Sequence, residues 1–98
     1  MRFMAVFVQY DTCYALGFDD SDDATDFLFW GYEEYDLTPC GIYDLLTGET
    51  TEYEHRGRSV GIFDPDLIRK TATEYVRAAL RLKGRSSHQT GSSPGRVL

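Results

Sequence analysis

The segment 3-FMAVFVQY-10 decides the fold, because it is apolar on both of its faces. Successive side chains of an extended strand point to opposite sides. The two faces carry Phe3, Ala5 and Phe7 on one side and Met4, Val6, Val8 and Tyr10 on the other. Such a strand is typical of the centre of a sheet that is covered on both sides. We therefore predict a central strand here, with the other strands arranged around it.

The neighbouring segments predict two hairpins. A second strand over 13–18 follows the first after a tight turn and forms the first hairpin. A second hairpin is predicted from strands over 41–46 and 50–55, where Gly48 in the "LTGE" loop can adopt the left-handed conformation that a short hairpin loop needs. The pattern over 59–63 favours an additional short strand.

Two helices alternate with the hairpins. The first is predicted from near Ser21 to near Tyr35, since the Asp-rich run before it supplies N-cap acceptors and negative charge suited to a helix N-terminus. The second is predicted to begin at Asp64-Pro65 and to end at Gly84. Its apolar stripe at helical spacing consists of Ile68, Ala72, Tyr75, Val76 and Ala79.

The order of these elements, ββαββ(β)α, predicts an α+β fold. We expect a single small domain over 1–83, in which an antiparallel sheet of four to five strands packs against two helices. The full length of 98 residues suits one domain. Residues 84–98 carry almost no apolar side chains before the last two, which predicts a flexible C-terminal tail.

Charge is distributed unevenly along the chain. Residues 1–54 hold thirteen acidic residues and one basic residue, Arg2, whereas residues 55–98 hold nine basic and three acidic residues. The net charge of −6 is therefore concentrated as acid in the first half. An acidic surface repels nucleic acid and attracts a basic protein surface.

The compartment is predicted from the absence of export signals. No apolar run reaches the roughly 18 residues that span a bilayer. The N-terminus has no small-residue cleavage site, so it is predicted to be a strand rather than a signal peptide. Cys13 and Cys40 are too few for a disulfide framework and fit no zinc pattern. We expect a cytoplasmic protein with two unpaired thiols and no contact with a membrane.

The chain lacks the motifs of most enzymes. It has no nucleophile elbow and no phosphate-binding loop. The run "DDSDD" at 19–23 lacks the central Gly and the closing Glu of a calcium loop, so no metal or cofactor is expected. A Cys-dependent enzyme remains an alternative that would place Cys13 or Cys40 beside His55, although His55 is expected to be a surface side chain at a strand end.

The first helix carries the best candidate for a binding face. Its predicted buried stripe consists of Ala24, Phe27, Leu28, Gly31 and Tyr35. At about 100° per residue, this stripe is complete without Phe29 and Trp30. These two aromatic residues flank an acidic ridge that faces solvent, which is the composition of an interface hot spot. The predicted partner-binding residues are Asp19, Asp20, Asp22, Asp23, Asp26, Phe29, Trp30, Glu33, Glu34 and Asp36. The alternative is that the helix bends at Gly31 and "FLFW" packs inward.

These features favour a small, acidic, non-enzymatic inhibitor that binds a protein. Its target would present a basic surface of the kind that holds nucleic acid, as expected of a nucleic-acid-handling enzyme or complex. The same combination of small size, a single acidic domain and no catalytic motif is typical of several classes of inhibitor. These are anti-CRISPR-like and other phage or mobile-element anti-defence proteins, anti-restriction nucleic-acid mimics, antitoxins and immunity proteins. The alternative is a nucleic-acid-binding accessory protein that uses the basic half. Its candidate residues are Arg56, Arg58, Arg69, Arg77 and Arg81.

Overall fold

A computed structural model describes the backbone of residues 1–92 and the side chains of residues 1–82. Its elements in chain order are β1 (Phe3–Gln9), β2 (Thr12–Phe18), α1 (Ser21–Glu34), β3 (Thr38–Asp44), β4 (Thr50–Glu52), β5 (Glu54–His55), β6 (Arg58–Ser59) and α2 (Pro65–Ser92). Four strands form one antiparallel sheet in the order β2-β1-β3-β4, and β5 and β6 form a separate two-stranded sheet. The predicted α+β fold is confirmed.

Strand β1 lies in the interior of the sheet, as its sequence predicts. It pairs antiparallel with β2 on one side and β3 on the other, so that Ala5 lies opposite Leu16 and Ile42. Met4 and Val6 are completely buried. Strand β1 therefore has a hydrogen-bonded strand on each side, and side chains on both of its faces are buried.

The two helices cover opposite faces of the sheet. The even-numbered side chains of β1 pack in one core with Ile68 and Ala72 of α2. The odd-numbered side chains pack in a second core with Ala24 and Leu28 of α1. The protein therefore has three layers, α1, the sheet and α2, and the sheet separates two apolar cores.

Helix α1 begins and ends close to the predicted residues. Its first turn is capped by Asp20, whose carboxylate accepts a hydrogen bond of 2.8 Å from the backbone N–H of Asp22. At the other end Asp36 adopts a left-handed φ of 57°, which turns the chain back so that Leu37 packs against the helix. A Cβ at Gly31 would lie 2.2 Å from Leu37 Cδ2, so the absence of a side chain there lets Leu37 close the core.

The second hairpin departs from the sequence prediction. Gly48 has the expected left-handed φ of 77° in the loop between β3 and β4. The strand predicted over 50–55 is interrupted at Tyr53, however, and its last two residues form β5. A two-residue turn at Arg56-Gly57, with φ values of 53° and 81°, joins β5 to β6. The strand predicted over 59–63 therefore does not extend the main sheet.

Helix α2 starts as predicted, but its buried face is narrower than expected. The Asp64 carboxylate accepts hydrogen bonds from the backbone N–H groups of Asp66 and Leu67 at 3.1 and 3.2 Å. Tyr75 is 38% exposed, so its prediction as a core residue was wrong, whereas Val76 is half-buried at the core margin. Ile68 and Ala72 are fully buried against the sheet, whereas Val76 and Ala79 of the predicted stripe are only partly buried.

The backbone of α2 continues past Gly84, where its end was predicted, to Ser92. The flexible tail predicted for 84–98 stays a prediction, because the side chains beyond residue 82 and all of 93–98 lie outside the described residues. In the part of the chain that the structure describes, neither helix has an apolar stretch of the length needed to cross a membrane.

Gly57 and Gly61 have the same backbone conformation but different surroundings. Gly57 and Gly61 both have a φ of 81°, but a Cβ at Gly57 would meet no atom within 4 Å, whereas one at Gly61 would lie 2.0 Å from the Pro39 carbonyl oxygen. Gly57→Ala should cost about 1–2 kcal/mol for the left-handed conformation alone. Gly61→Ala should cost roughly 1–3 kcal/mol more, because the Pro39 backbone must move. Urea unfolding of the two variants measures the difference, and equal losses would contradict this account.

Arg2, the residue before β1, is paired with the carboxylate of Asp44, the last residue of β3. The Arg2 guanidinium donates two hydrogen bonds to Asp44, of 3.0 and 2.9 Å, and Leu46 N–H donates a third to the same carboxylate. The Arg2 hydrogen bond, assisted by that of Leu46, holds the Asp44 pKa well below its usual range despite partial burial.

Stability should consequently depend on the ionisation of Asp44. A carboxyl whose pKa is lowered by folding stabilises the protein above its unfolded pKa of about 3.9, and that contribution is lost as the pH falls toward the folded pKa. Asp44→Asn should therefore lower the free energy of unfolding at pH 7, and the difference from the wild type should shrink as the pH falls. Denaturant unfolding between pH 7 and pH 3 tests this, with the exposed Glu52→Gln as control. A difference independent of pH would refute it.

Candidate protein-binding site

An open groove runs along one flank of α1, where the helix leaves part of the sheet uncovered. Its volume is about 700 Å³. The helix contributes Asp23, Asp26, Phe27 and Trp30, which share one flank because residues three, four and seven apart lie together on a helix. The remaining lining residues are Phe7, Gln9, Phe18, Gly31, Tyr35 and Leu37.

Aromatic rings form the floor of the groove. The Phe27 ring lies 5.2 Å from the Phe7 ring and 5.6 Å from the Phe18 ring, measured between centroids. Phe7 stacks in turn on Tyr14 of the neighbouring strand at 5.6 Å. These contacts hold the floor in a fixed shape, because each ring packs against at least one other ring. Tyr14 and Leu16 of β2 continue the apolar surface to the sheet edge, and both are exposed.

Trp30 stands at the rim of this groove with 53% of its surface exposed. Helix α1 is continuous through Gly31, so the alternative in which the helix bends there and the whole "FLFW" segment packs inward does not apply. Leu28 is buried in the core, Phe27 and Phe29 are partly buried against it, and Trp30 faces solvent. Tyr35 is 67% exposed, so its prediction as part of the buried stripe was wrong. A large exposed aromatic side chain beside an apolar cavity is a feature of protein-binding surfaces.

Two carboxylates of the predicted face, Asp23 and Asp26, line the groove next to these rings. Neither makes an ion pair with another described residue, and both are exposed. Nearby, Asp19 binds the N-terminal amine at 2.7 Å, and that hydrogen bond lowers the Asp19 pKa. Asp20 caps the helix. The groove thus has an apolar floor and an acidic rim, and the two rim carboxylates form no ion pair within the described part of the chain.

The opposite flank of α1 has a different environment, which the sequence did not reveal. Here His55 of β5 and Arg56 of the following turn contact the helix. His55 is only 6% exposed, so its prediction as a surface residue was wrong. Its Nδ1 lies 2.7 Å from the Tyr53 hydroxyl and its Nε2 lies 2.5 Å from a Glu33 carboxylate oxygen. The His55 ring is also stacked on Phe29, with 4.6 Å between centroids.

This arrangement gives Phe29 and Glu33 structural roles. Arg56 places its guanidinium 5.5 Å from the centroid of the Phe29 ring and its Nε 3.5 Å from Glu33. The His55 hydrogen bond lowers the Glu33 pKa, burial opposes that shift and Arg56 assists it. Burial, followed by the Glu33 charge, raises the Tyr53 pKa. The cluster attaches the β5–β6 hairpin to α1 through side chains that are hydrogen-bonded or ion-paired with one another.

The predicted binding face is therefore divided between the two flanks. The groove brings together Asp23, Asp26 and Trp30, whereas Phe29 and Glu33 lie on the hairpin flank. Of the other predicted residues, Asp22, Glu34 and Asp36 are exposed outside the groove lining, and Asp19 and Asp20 lie at the start of the helix. Sequence analysis missed the floor, Phe7 and Phe18, because strand side chains were assigned to the core without considering how much of the sheet α1 covers.

Cys40 and His55, two residues of the alternative Cys-dependent site, lie on opposite sides of the sheet. Cys40 is buried in the core under α2, where burial raises its thiol pKa to about 11, and His55 lies on the α1 side of the sheet. Among the residues described, no three His, Cys, Asp or Glu side chains are grouped so as to hold a metal ion. Of the arginines, Arg56 contacts Glu33 and Arg69 contacts Asp66 at 3.1 Å.

Comparison of the chain with protein-family models, curated proteins and solved structures finds no match. The function is consequently inferred from the groove itself: its volume, its aromatic floor, the exposed Trp30 and the exposed carboxylates of Asp23 and Asp26. Surfaces that combine exposed aromatic rings with a charged rim are suited to binding another protein.

The exposure of Trp30 can be measured, because it is the only tryptophan in the chain. We expect red-shifted emission that acrylamide quenches readily and iodide quenches poorly, since the neighbouring carboxylates repel an anion. Trp30→Ala should change the free energy of unfolding by less than about 1 kcal/mol, as for most exposed residues. Phe29→Ala is the matched control and should cost roughly 2 kcal/mol or more, because its ring packs on His55. Blue-shifted emission closed to both quenchers would contradict this placement.

Proposed function

We propose that this protein is a non-enzymatic binding protein that docks the groove beside α1 onto a basic surface of a partner protein. The observation that carries the proposal is the position of Asp23 and Asp26, two carboxylates without ion-pair partners among the described residues, next to the exposed ring of Trp30. Unpaired acids on a rim are complementary to basic side chains, and an aromatic floor supplies apolar contact area.

The rigidity of the site supports a protein partner. The floor rings pack against one another and α1 is anchored on its other flank by the His55 cluster, so the groove exists before any partner arrives. Preformed surfaces lose little conformational entropy on binding, which leaves more of the contact energy as affinity. Exposed Trp and Tyr side chains, here Trp30 and Tyr35, are the residue types that most often dominate such interfaces.

The negative charge of the groove rim indicates which type of molecule the partner is. Phosphate groups would be repelled by the acidic residues around α1, so direct binding of nucleic acid through this face is disfavoured. Basic protein surfaces commonly serve to hold nucleic acid. The proposed partner is therefore a nucleic-acid-handling protein, and occupation of its basic surface would inhibit it, as an anti-defence, anti-restriction, antitoxin or immunity protein does.

The proposal is tested by comparing groove variants in partner capture and inhibition. Proteins retained by the immobilised chain are identified by mass spectrometry, purified and assayed for nucleic-acid binding with and without this protein. Trp30→Ala should weaken the complex by roughly 2 kcal/mol, about thirtyfold in Kd. Asp23→Lys with Asp26→Lys should slow association and reduce its dependence on salt.

The control is a pair of substitutions with the same change in charge at the far edge of the sheet. Glu49→Lys with Glu52→Lys alters two exposed acids outside the groove and should leave the complex nearly unchanged. If the control weakens binding as much as the groove pair does, the interaction depends on net charge and the proposed site is wrong. Binding of the wild type to nucleic acid itself would also contradict the proposal.

A further inference from the structure

The outer edge of β2 carries no paired strand in the described part of the chain. This strand has seven residues, Thr12–Phe18, with neither a charged residue nor a proline among them. Natural edge strands are normally blunted by charges, prolines, bulges or short length. The opposite edge follows that rule, because β4 has three residues including Glu52. Among the described residues, none pairs with the outward backbone donors and acceptors of β2, so another extended segment can pair with them.

The open edge is continuous with the groove. Tyr14, Leu16 and Phe18 alternate onto the α1 side of the sheet, while Ala15 points to the opposite core. Phe18 is part of the groove lining, and Tyr14 stacks on Phe7 in its floor. A strand added beside β2 would place every second side chain next to these residues, on the face of the sheet that α1 covers.

We propose that the partner's contact segment is an extended, basic stretch that adds to β2 as a fifth strand of the sheet. Its alternate arginine or lysine side chains cross Tyr14 and Phe18 and meet the carboxylates of Asp23 and Asp26. Hydrogen bonds between the backbones of the partner segment and β2 fix the register of the added strand. The acidic rim of the groove selects positively charged side chains. The inference rests on the proposed function and specifies how its partner is bound.

The spacing of the acids suits such a strand. Alternate side chains of a strand are about 7 Å apart. Asp23 and Asp26 are separated by three residues of helix, a rise of about 4.5 Å, and both point toward the groove. Long basic side chains span the remaining difference while their aliphatic stems lie on the aromatic floor, where Phe27 and Trp30 also offer ring faces to a cation.

Charge also explains why the partner is a basic segment rather than a second copy of this chain. Acidic residues flank the strand at both ends, with Asp11 before it and Asp19-Asp20 after it. If two copies paired antiparallel through β2 around Ala15, Asp11 of each copy would lie close to Asp20 of the other, and neither carboxylate has an ion-pair partner among the described residues. Like charges placed directly opposite one another destabilise a strand pair, whereas a basic strand is attracted at both ends.

The test uses peptide probes with two separate readouts. An acetylated heptapeptide of alternating arginine and valine is titrated while Trp30 emission reports on the groove and amide hydrogen exchange reports on Thr12–Phe18. We expect the emission to shift and exchange of the outward β2 amides to slow at least tenfold. The glutamate–valine counterpart should change neither signal.

Backbone methylation identifies strand addition. In a strand, the N–H groups of alternate residues point to opposite edges, so methylating either the arginine or the valine nitrogens blocks one edge of the peptide. One methylated peptide should bind as the parent does, and the other should bind at least tenfold more weakly. Leu16→Lys should weaken binding similarly, and Leu46→Lys, an exposed leucine in the β3–β4 loop, is its control.

The outcomes separate the two proposals. A shift in Trp30 emission without protection of β2, or equal binding of both methylated peptides, overturns strand addition and leaves the groove as a docking site. If the peptide neither shifts the Trp30 emission nor slows exchange of the β2 amides, both proposals are overturned. Sedimentation of the protein alone as a dimer that is disrupted by Leu16→Lys would show that a second copy occupies the edge, which also overturns the inference.

Discussion

The structure depends on the burial of β1 on both faces. Its side chains cannot be removed from water by one layer, because alternate residues point to opposite sides of the sheet. The two helices therefore pack on opposite faces, with Met4 and Val6 under α2 and Ala5 and Phe7 under α1. Each core is small, and close packing at glycines, such as Gly31 against Leu37, is what lets so short a chain close both.

The groove follows from how α1 covers its face of the sheet. The helix lies over β1 and β3 and contacts β2 less, so the aromatic side chains on the β2 side remain uncovered. An apolar floor of this kind is costly to expose unless it binds something. Its neighbours on the helix are acidic, so the same geometry that leaves the rings accessible also places Asp23 and Asp26 beside them. Shape and charge together account for the proposed basic partner.

The two flanks of α1 show how similar residues acquire different roles. Phe29 and Trp30 are adjacent in the chain and their rings touch edge to face, with 5.1 Å between centroids. Phe29 nevertheless packs on His55 and stabilises the hairpin, whereas Trp30 faces the groove. The difference arises from the hairpin β5–β6, which covers one flank and leaves the other open. Its buried histidine is tolerated because both ring nitrogens have polar partners.

Sequence alone determined the fold class and most of the elements, because strand alternation, helix caps and turn glycines are local signals. The central position of β1, the N-terminus of α1 at Ser21, that of α2 at Pro65 and the left-handed Gly48 were all predicted from such signals. The sequence did not predict the division of the segment 50–59 into β4, β5 and β6. The tertiary structure alone decided that His55 is buried, that Tyr75 is exposed and that Phe29 and Trp30 serve different flanks. These outcomes depend on which surface packs against which, through contacts between residues far apart in the chain, and no local pattern encodes them.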